Sequence, residues 1–318
     1  MTRTRNAALF CCLAAAWGAA FMAIKAGLGG PDAPGPFYET PVLFAAVRYD
    51  VAGVLMLGYA AVVLDDPLPR TRAQLAEVTV GAVFLIAAYH AFLFVGELNT
   101  TSAAAATIVS LSPVLTTAIA RGLLPSDRLD AAGLVGLLLG LVGAVIIADP
   151  FGQAELLTAN VLGKLLVFAA TLSFAFGSVL ARRIDSGLDV EAMEAWSMLG
   201  GALLMHVVSL GLGEPAGSVG LTMEALLALG YLSVVASALG FLVYFDLLER
   251  LGPVEINLVS YVAPVFAAVT GYLFLREAID ATTVVGFLVI VVGFVLLKRD
   301  AIRAEVRSVR GGPVQGDD

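Results

Sequence analysis

The residues best placed to do chemistry in this chain are the few ionisable side chains inside long apolar segments. Arg48 stands about two helical turns into its segment. A charge in hydrocarbon is costly, so such a residue indicates a functional or paired group. A guanidinium binds a carboxylate through two parallel hydrogen bonds. Two interpretations follow: Arg48 binds an anionic or carboxylated substrate, or it is a structural partner for Glu97 or another nearby acid.

Lys25 and Trp17 share the first apolar segment. Lys25 stands near the end of that segment, where snorkelling or pairing explains its ammonium more simply than substrate contact. Trp17 is deeper and wide enough to line a cavity by stacking, although Gly18 beside it also permits close helix packing. Both residues are candidates for the lining of a substrate cavity.

The two histidines, His90 and His206, both fall inside apolar segments. A histidine that titrates near neutrality could relay protons for antiport. The position that matches His90 in the internal repeat described below is Phe241, so no matching relay is present. A neutral imidazole that is hydrogen-bonded within the bundle is the simpler interpretation, and His90 is kept as a cavity candidate.

Uncharged polar side chains cost less to bury and can shape specificity. The cavity candidates of this kind are Tyr89, Ser110, Tyr244, Asn257 and Tyr261. Ser110 and Tyr261 each stand three residues before a proline, Pro113 and Pro264. A proline kinks its helix and frees a carbonyl one turn earlier, which can then face a cavity. The alternative is ordinary hydrogen bonding between helices.

The composition defines the class of protein that must position these residues. Of 318 residues, 59% are hydrophobic and 14% are charged, and the mean hydropathy is +0.93. Soluble domains carry about 25% charged residues, so this composition predicts a membrane protein that contacts the lipid bilayer. The net charge of −8 argues against a nucleic-acid partner. The adjacent Cys11 and Cys12 are expected to fill small spaces in the core, because two neighbouring cysteines in an apolar run suit neither a disulfide nor a metal site.

The sequence lacks the motifs typical of ATP-driven transport and of metal enzymes. The chain has no G-x-x-x-x-G-K-[ST] loop, so ATP is not expected as the direct energy source. It also has no H-E-x-x-H motif and no cysteine cluster, so no metal or other cofactor is expected.

The apolar segments predict ten transmembrane spans, since crossing the hydrocarbon takes about 20 apolar residues. Their approximate bounds are 7–28, 41–63, 77–96, 100–121, 131–148, 160–181, 190–212, 222–247, 254–274 and 281–298. Placing the N-terminus inside puts fourteen of the eighteen Lys and Arg residues on the cytoplasmic side. The sequence therefore predicts a multi-pass protein of the cell membrane with both termini in the cytoplasm.

An internal repeat relates residues 103–148 to residues 254–298. The prolines, the turn aspartates Asp130 and Asp280, and a pair of glycines coincide in the two copies. The repeat predicts two five-helix units at 1–155 and 156–299, followed by a disordered cytoplasmic tail at 300–318. Five spans are an odd number, so the second unit must enter from the opposite side, and we expect an all-α fold of two inverted repeats. Helix packing, within the chain or across a homodimer, is predicted for Gly136, Gly140, Gly143, Gly286 and Gly293.

Several residues together resemble the EamA-type transporters of the drug/metabolite transporter superfamily. They are Trp17-Gly18 with Phe21 and Lys25, Arg48, the Pro113 and Pro264 helices, the charged turns at Asp127-Arg128 and Arg276-Glu277, and the glycine-bearing closing spans. The resemblance covers about residues 7–298, with Asp127 where the family usually has Glu. It implies ten helices around a central cavity that exchange small organic solutes, often outward.

We therefore expect secondary active transport by alternating access, most simply export of a small metabolite, amino acid or drug-like solute. A coupling proton or cation would supply the energy, and no enzymatic activity is expected. The alternative is a membrane-embedded lipid-handling protein or enzyme, which would need acid and base residues clustered at one interface.

Overall fold

The computed structural model describes residues 2–123, 131–149, 158–215, 217, 219–220, 222–297 and 299. These residues form helical segments, which we number by predicted span. The first five are α1 (Thr2–Leu28), α2 (Pro41–Val63), α3 (Arg72–Glu97), α4 (Ser102–Val109 and Ser112–Leu123) and α5 (Ala131–Ala148). The second five are α6 (Ala159–Ile184), α7 (Val190–Leu212), α8 (Met223–Gly230, Tyr231–Leu239 and Gly240–Ile256), α9 (Val259–Leu275) and α10 (Ala281–Leu297).

The prediction of an all-helical, multi-pass membrane protein is confirmed. In the described part of the chain, seven helices are long and apolar enough to cross a membrane, and three shorter apolar helices span Gly133–Ala148, Val259–Leu275 and Ala281–Leu297. Large apolar side chains cover the outside of the bundle, such as Val62 at 85% and Leu210 at 77% exposure. An apolar surface of this extent is suited to contact with lipid. One departure from pure helix is a short hairpin that pairs β1 (Gly29–Gly30) with β2 (Ala33–Pro34).

The bundle has two ends, which we name by the loops they carry. The distal face carries the 29–40 hairpin loop, the 98–101 turn and the 276–280 loop, because Glu277 contacts Ser102 and Glu214 contacts Val42. The proximal face carries the α2–α3 and α6–α7 loops, because Trp196 bonds to Pro67 and Ser186 to Glu77. From these contacts, α1 runs from the proximal to the distal face and α6 runs back. The helix with Pro113 and the helix with Pro264 likewise run in opposite directions.

The predicted packing glycines lie where α5 contacts α10. A Cβ atom built on Gly143 would stand 2.7 Å from the carbonyl oxygen of Gly286, and one on Gly293 would stand 2.6 Å from that of Gly136. A Cβ on Gly293 would also stand 2.9 Å from the Gly140 nitrogen, and one on Gly140 would stand 3.2 Å from the Leu111 and Val114 side chains. These distances leave no room for a side chain. The glycines therefore allow the backbones of α5 and α10 to touch within one chain.

Two of the long helices contain a π-helical segment that the sequence analysis did not predict, and a shorter π segment, Gly271–Leu275, ends α9. Gly81–Ala88 is π-helical within α3, and Tyr231–Leu239 is π-helical within α8. The two segments begin 150 positions apart, which is the offset of the turn aspartates in the internal repeat. A π segment leaves some backbone carbonyls without their usual helical donors, and such segments are frequent at functional sites.

The predictions for the cysteines and the prolines agree with the structure only in part. Cys11 and Cys12 are both exposed on the bundle surface, so the expectation that they fill the core is wrong. They lie on an outward face of α1, where a small apolar side chain can contact lipid. Pro264 lies inside its helix, as predicted, whereas Pro113 is the second residue of a new segment after a break at Ser110–Leu111. The turn at 126–130 and the 300–318 tail lie outside the described residues.

Candidate substrate-binding site

Arg48 is buried in the bundle without an acidic partner. Its side chain is 6% exposed, and its Nε donates a hydrogen bond to Ser237 Oγ at 3.1 Å. Its guanidinium carbon stands 5.0 Å from the centre of the Tyr49 ring. Over the described ranges, no carboxylate lies within 4.0 Å of the guanidinium, so Glu97 is not its structural partner in this conformation. The remaining guanidinium N–H groups are therefore available to an anion.

His90 lies beside Arg48 in a hydrogen-bonded chain. Its Nδ1 stands 2.9 Å from the carbonyl oxygen of Ile86, and its Nε2 stands 2.7 Å from the Tyr49 hydroxyl. A carbonyl can only accept, so Nδ1 carries the proton, and in the neutral tautomer Nε2 accepts from Tyr49. Both ring nitrogens are used, so His90 orients Tyr49, whose ring in turn lies under Arg48.

Aromatic rings extend from this pair in two directions. The Tyr89 ring contacts the His90 ring edge to face, with ring centres 4.5 Å apart, and its centre lies 5.4 Å from that of the tilted Phe174 ring. Trp17 lies 5.5 Å from Tyr244 and 5.8 Å from Phe241. Rings at these separations attract each other beyond simple burial and hold a rigid apolar wall.

The π segments connect these two aromatic groups. Trp17 Nε1 donates to the Ala236 carbonyl at 3.0 Å, next to the Ser237 that holds Arg48. In the other half, Ser173 Oγ donates to the Phe84 carbonyl at 2.9 Å. In both cases the first helix of one half bonds to the π segment of the other half. Arg48, Tyr49, His90, Trp17 and Tyr244 thus form one connected cluster between the halves.

Three sequence candidates lie apart from this cluster. Ser110 is fully buried, and its hydroxyl donates to the Thr107 carbonyl at 2.6 Å. Tyr261 stacks on Phe294 at 4.4 Å, and its hydroxyl has no partner in the described part of the chain. Asn257 is exposed in the turn between α8 and α9 on the proximal side. The structure thus does not bring these residues to Arg48.

Lys25 belongs to a separate polar cluster at the distal face. Its ammonium donates to the carbonyls of Glu97 and Leu98 at 2.8 and 3.0 Å, which are the last carbonyls of α3. Glu277 accepts from the Ser102 backbone N–H at 3.0 Å, at the start of α4. Burial raises the pKa of the Glu277 carboxyl, while the Ser102 hydrogen bonds and the charge of Lys25 act in the opposite direction. Lys25 and Glu277 therefore cap two helix ends beside each other.

The second histidine is on the bundle surface. His206 Nε2 lies 2.7 Å from the Asp50 carboxylate, and these two side chains are 34% and 47% exposed. This pairing explains how Asp50 is accommodated on α2 without contact with Arg48.

Sequence reasoning missed several members of both clusters. Tyr49 could have been found because it follows Arg48 in the sequence and lies at the same depth in the predicted span. Glu277 could have been found because it belongs to one of the two charged turns of the internal repeat. Ser237 and the carbonyl of Ala236 carry no sequence signal, because the π segment that presents them follows from packing between helices.

Comparison with known proteins identifies the family. The profile of the EamA-like transporter family matches this chain twice, at residues 5–148 and 161–299. The chain belongs to the EamA-like transporter family. Its relatives include the chloroplastic WAT1-related protein At3g02690 of Arabidopsis thaliana, 28% identical over 286 residues. That alignment covers 88% of this chain and 66% of the plant protein, just under two thirds of its length.

Other relatives of this EamA-like protein are bacterial and archaeal. The inner membrane transporter YedA of Escherichia coli strain K12 is 28% identical, over 80% of this chain and 78% of YedA. A transporter of Archaeoglobus fulgidus is 22% identical, over 89% of this chain and 95% of that protein. A crystal structure matches with a TM-score of 0.64 and 22% identity, covering 95% of this chain and 99% of that one, and it shares the fold. The EamA-like chain is thus a multi-pass membrane transporter.

Proposed function

We propose that this EamA-like protein is a secondary active transporter of small organic solutes that carry a carboxylate. The observation that carries the proposal is that Arg48 is buried at 6% exposure, donates one hydrogen bond from Nε, and has no carboxylate within 4.0 Å among the described residues. A charge buried this way is costly unless a partner compensates it. A carboxylate of the solute would be that partner, bound through the free guanidinium N–H groups.

The aromatic side chains around Arg48 favour an organic solute over an inorganic anion. Trp17 and Tyr244 lie with ring centres 5.5 Å apart beside the π segment that holds Arg48, and Tyr89 contacts His90. Binding sites for small molecules combine such an apolar lining with a few polar groups that fix orientation. An amino acid or another small carboxylated metabolite has both parts.

Alternating access would follow from two inverted repeats, with units at 1–155 and 156–299. The opposite directions of α1 and α6 support this arrangement, as do the reciprocal bonds from Trp17 to Ala236 and from Ser173 to Phe84. Solutes in such folds bind at the interface of the repeats, where Arg48 lies. We place the distal face outside the cell, both termini in the cytoplasm, and the chain in the cell membrane, following the distribution of basic residues.

Export coupled to proton entry is the direction and coupling that we propose. The family resemblance supports export, since the solutes of such transporters often move outward. We assign the polar contacts that join the two halves at the distal face to a closed outer end, so that the cluster would open toward the cytoplasm.

Exchange assays in proteoliposomes would test this function. The purified protein should exchange labelled amino acids or small carboxylates and should not exchange their decarboxylated amines. Arg48→Ala should raise the apparent Kd by about 10- to 100-fold, because a hydrogen bond to a charged group contributes about 1.5–3 kcal/mol. Arg48→Lys should recover part of this loss, since it keeps the charge without the paired N–H groups.

A matched control is Arg70→Ala, which removes an exposed arginine paired with Asp66 on the proximal side. This variant should exchange like the wild type. Unchanged exchange in Arg48→Ala, or equal exchange of amines and carboxylates, would contradict carboxylate recognition.

A further inference from the structure

The side chain of Glu97 takes no part in the contacts described above for the distal cluster. It is the last residue of α3 and is 0% exposed. Neither of its carboxyl oxygens has a hydrogen-bond partner in the described part of the chain. Its backbone carbonyl accepts from Lys25, but the two side chains form no ion pair within 4.0 Å. The carboxyl group is therefore buried beside a cation that is bound elsewhere.

The surroundings of Glu97 disfavour a negative charge in this conformation. A buried carboxylate without donors costs several kcal/mol, whereas the neutral acid costs far less. The C-terminus of a helix is the negative end of its dipole, and Glu97 stands there. Glu277 adds a second acid to the distal face. Each of these effects favours the carboxylic acid over the carboxylate.

The charged groups on the helices packed against α3 do not reverse this conclusion. Lys25 on α1 uses its ammonium on the carbonyls of Glu97 and Leu98, and Arg48 on α2 bonds to Ser237. Lys164 on α6 lies within electrostatic range of Asp280 and Asp149 instead. Lys25 and Arg48 lie within electrostatic range of Glu97, but in the described part of the chain none of the three cations forms an ion pair within 4.0 Å of its carboxyl.

We propose that Glu97 is a proton-binding site of the outer gate: it holds a proton while the distal face is closed and releases it when that face opens. The distal cluster can make this change because its contacts join the two halves. Glu277 follows α9 in the second half, and it caps α4 of the first half through Ser102. Asn160 of α6 similarly donates to the Asn99 carbonyl at 3.0 Å.

Opening these contacts would expose α3's last turn to the outer medium, where water can replace the carbonyls as partners of the Lys25 ammonium. The freed ammonium would then pair with the Glu97 carboxylate. Opening thus releases one proton, and an acidic outer medium favours the closed gate. This inference rests on the alternating access of the proposed function, and it adds the residue that makes the outer gate sensitive to pH.

Thiol accessibility at Thr100 would test the inference without knowledge of the solute. Thr100 is 3% exposed in the distal turn between α3 and α4. Thr100→Cys in a Cys11→Ser/Cys12→Ser background would report opening through its rate of labelling by a membrane-impermeant maleimide. The rate is divided by that of Glu39→Cys, an exposed distal position, to remove the pH dependence of the thiol itself.

The normalised rate should rise with increasing pH, by at most about tenfold per pH unit for one released proton. Glu97→Gln mimics the neutral acid, so its rate should stay low and independent of pH. Glu277→Gln weakens the cap on Ser102, so it should raise the rate at all pH values and keep the pH dependence. Asp32→Gln, at an exposed distal acid, is the matched control and should behave like the wild type.

A second measurement, on the wild-type protein, tests the protonation of Glu97 even if Glu97→Gln does not fold. The infrared spectrum of the wild-type protein should contain the carbonyl stretch of a protonated carboxyl group without hydrogen bonds. The intensity of this band should fall as the pH rises, and the midpoint of that fall should be the midpoint of the labelling curve.

Several outcomes would overturn the inference. One is that Glu97→Gln keeps the pH dependence of the wild-type labelling rate. Another is that the pH dependence is lost in Glu277→Gln but not in Glu97→Gln. A third is that the labelling rate responds to sodium concentration instead of pH. Absence of labelling in every variant would also overturn it, and it would count against alternating access itself. A labelling rate that is high but independent of pH in the wild type would overturn only the proton site.

Discussion

At the scale of single residues, the cluster depends on how Arg48 is held. One hydrogen bond from Nε to Ser237 fixes the guanidinium plane, and the Tyr49 ring supports it from one side. Tyr49 is itself held by His90, whose other nitrogen is bound to the Ile86 carbonyl. Arg48 thus has its orientation set before a solute arrives, which reduces the entropy lost on binding.

Ser237→Ala tests this positioning role. A hydrogen bond from a charged guanidinium contributes about 1.5–3 kcal/mol, which is the upper limit of the effect. Because Arg48 itself still binds the solute, we expect the apparent Kd to rise by about 2- to 10-fold. The maximal exchange rate should change little, because Arg48 itself remains. Exchange titrations with the carboxylated solute would measure both quantities.

Ser233→Ala is the matched control for that variant. Ser233 lies in the same π segment and is also buried, but its hydroxyl has no partner over the described ranges. Its removal should leave the apparent Kd unchanged. A similar effect of both substitutions would mean that the π segment, and not the contact to Arg48, determines binding.

At the scale of helices, apolar length and proline and glycine spacing were enough to predict most of the fold. The predicted segments overlap the helices, and the glycines with a period of seven lie at the α5–α10 contact. Arg48, Tyr89 and His90 were found as candidates because ionisable and polar residues stand out in apolar sequence. Ser110, Tyr261 and Asn257 were equally conspicuous, but the helix face that each residue occupies depends on packing. The π segments were missed because a one-residue shift in hydrogen bonding leaves no pattern in composition.

Gly143→Ala tests the backbone contact between α5 and α10. The added Cβ would stand 2.7 Å from the Gly286 carbonyl oxygen, which belongs to the backbone and cannot move aside locally. Overpacking of this kind costs about 1–3 kcal/mol, so we expect a lower Tm in detergent. Thermal unfolding followed by tryptophan fluorescence or light scattering would measure it.

Gly58→Ala provides the comparison. Gly58 lies inside α2, and nothing stands within 4 Å of a Cβ built there. Alanine is favoured over glycine in a helix by about 0.5–1 kcal/mol, so this Tm should stay the same or rise. An unchanged Tm in Gly143→Ala would show that α5 and α10 do not touch as described.

At the scale of the whole molecule, the mechanism requires that the two halves cross the membrane in opposite senses. The contacts place Glu39 and Ala278 at the distal face, one in each half, and Arg70 and Asp189 at the proximal face. All four side chains are exposed, so single cysteines there can report sidedness in the Cys11→Ser/Cys12→Ser background.

Impermeant thiol labelling of intact cells should modify Glu39→Cys and Ala278→Cys. Arg70→Cys and Asp189→Cys should react only after permeabilisation, because basic loops remain in the cytoplasm. Reversal of all four results would turn the protein over in the membrane while keeping the halves inverted. Labelling of Glu39→Cys and Asp189→Cys from the same side would instead give parallel halves. The Trp17–Ala236 and Ser173–Phe84 hydrogen bonds would then not be related by the repeat. This result would contradict alternating access at the interface that holds Arg48.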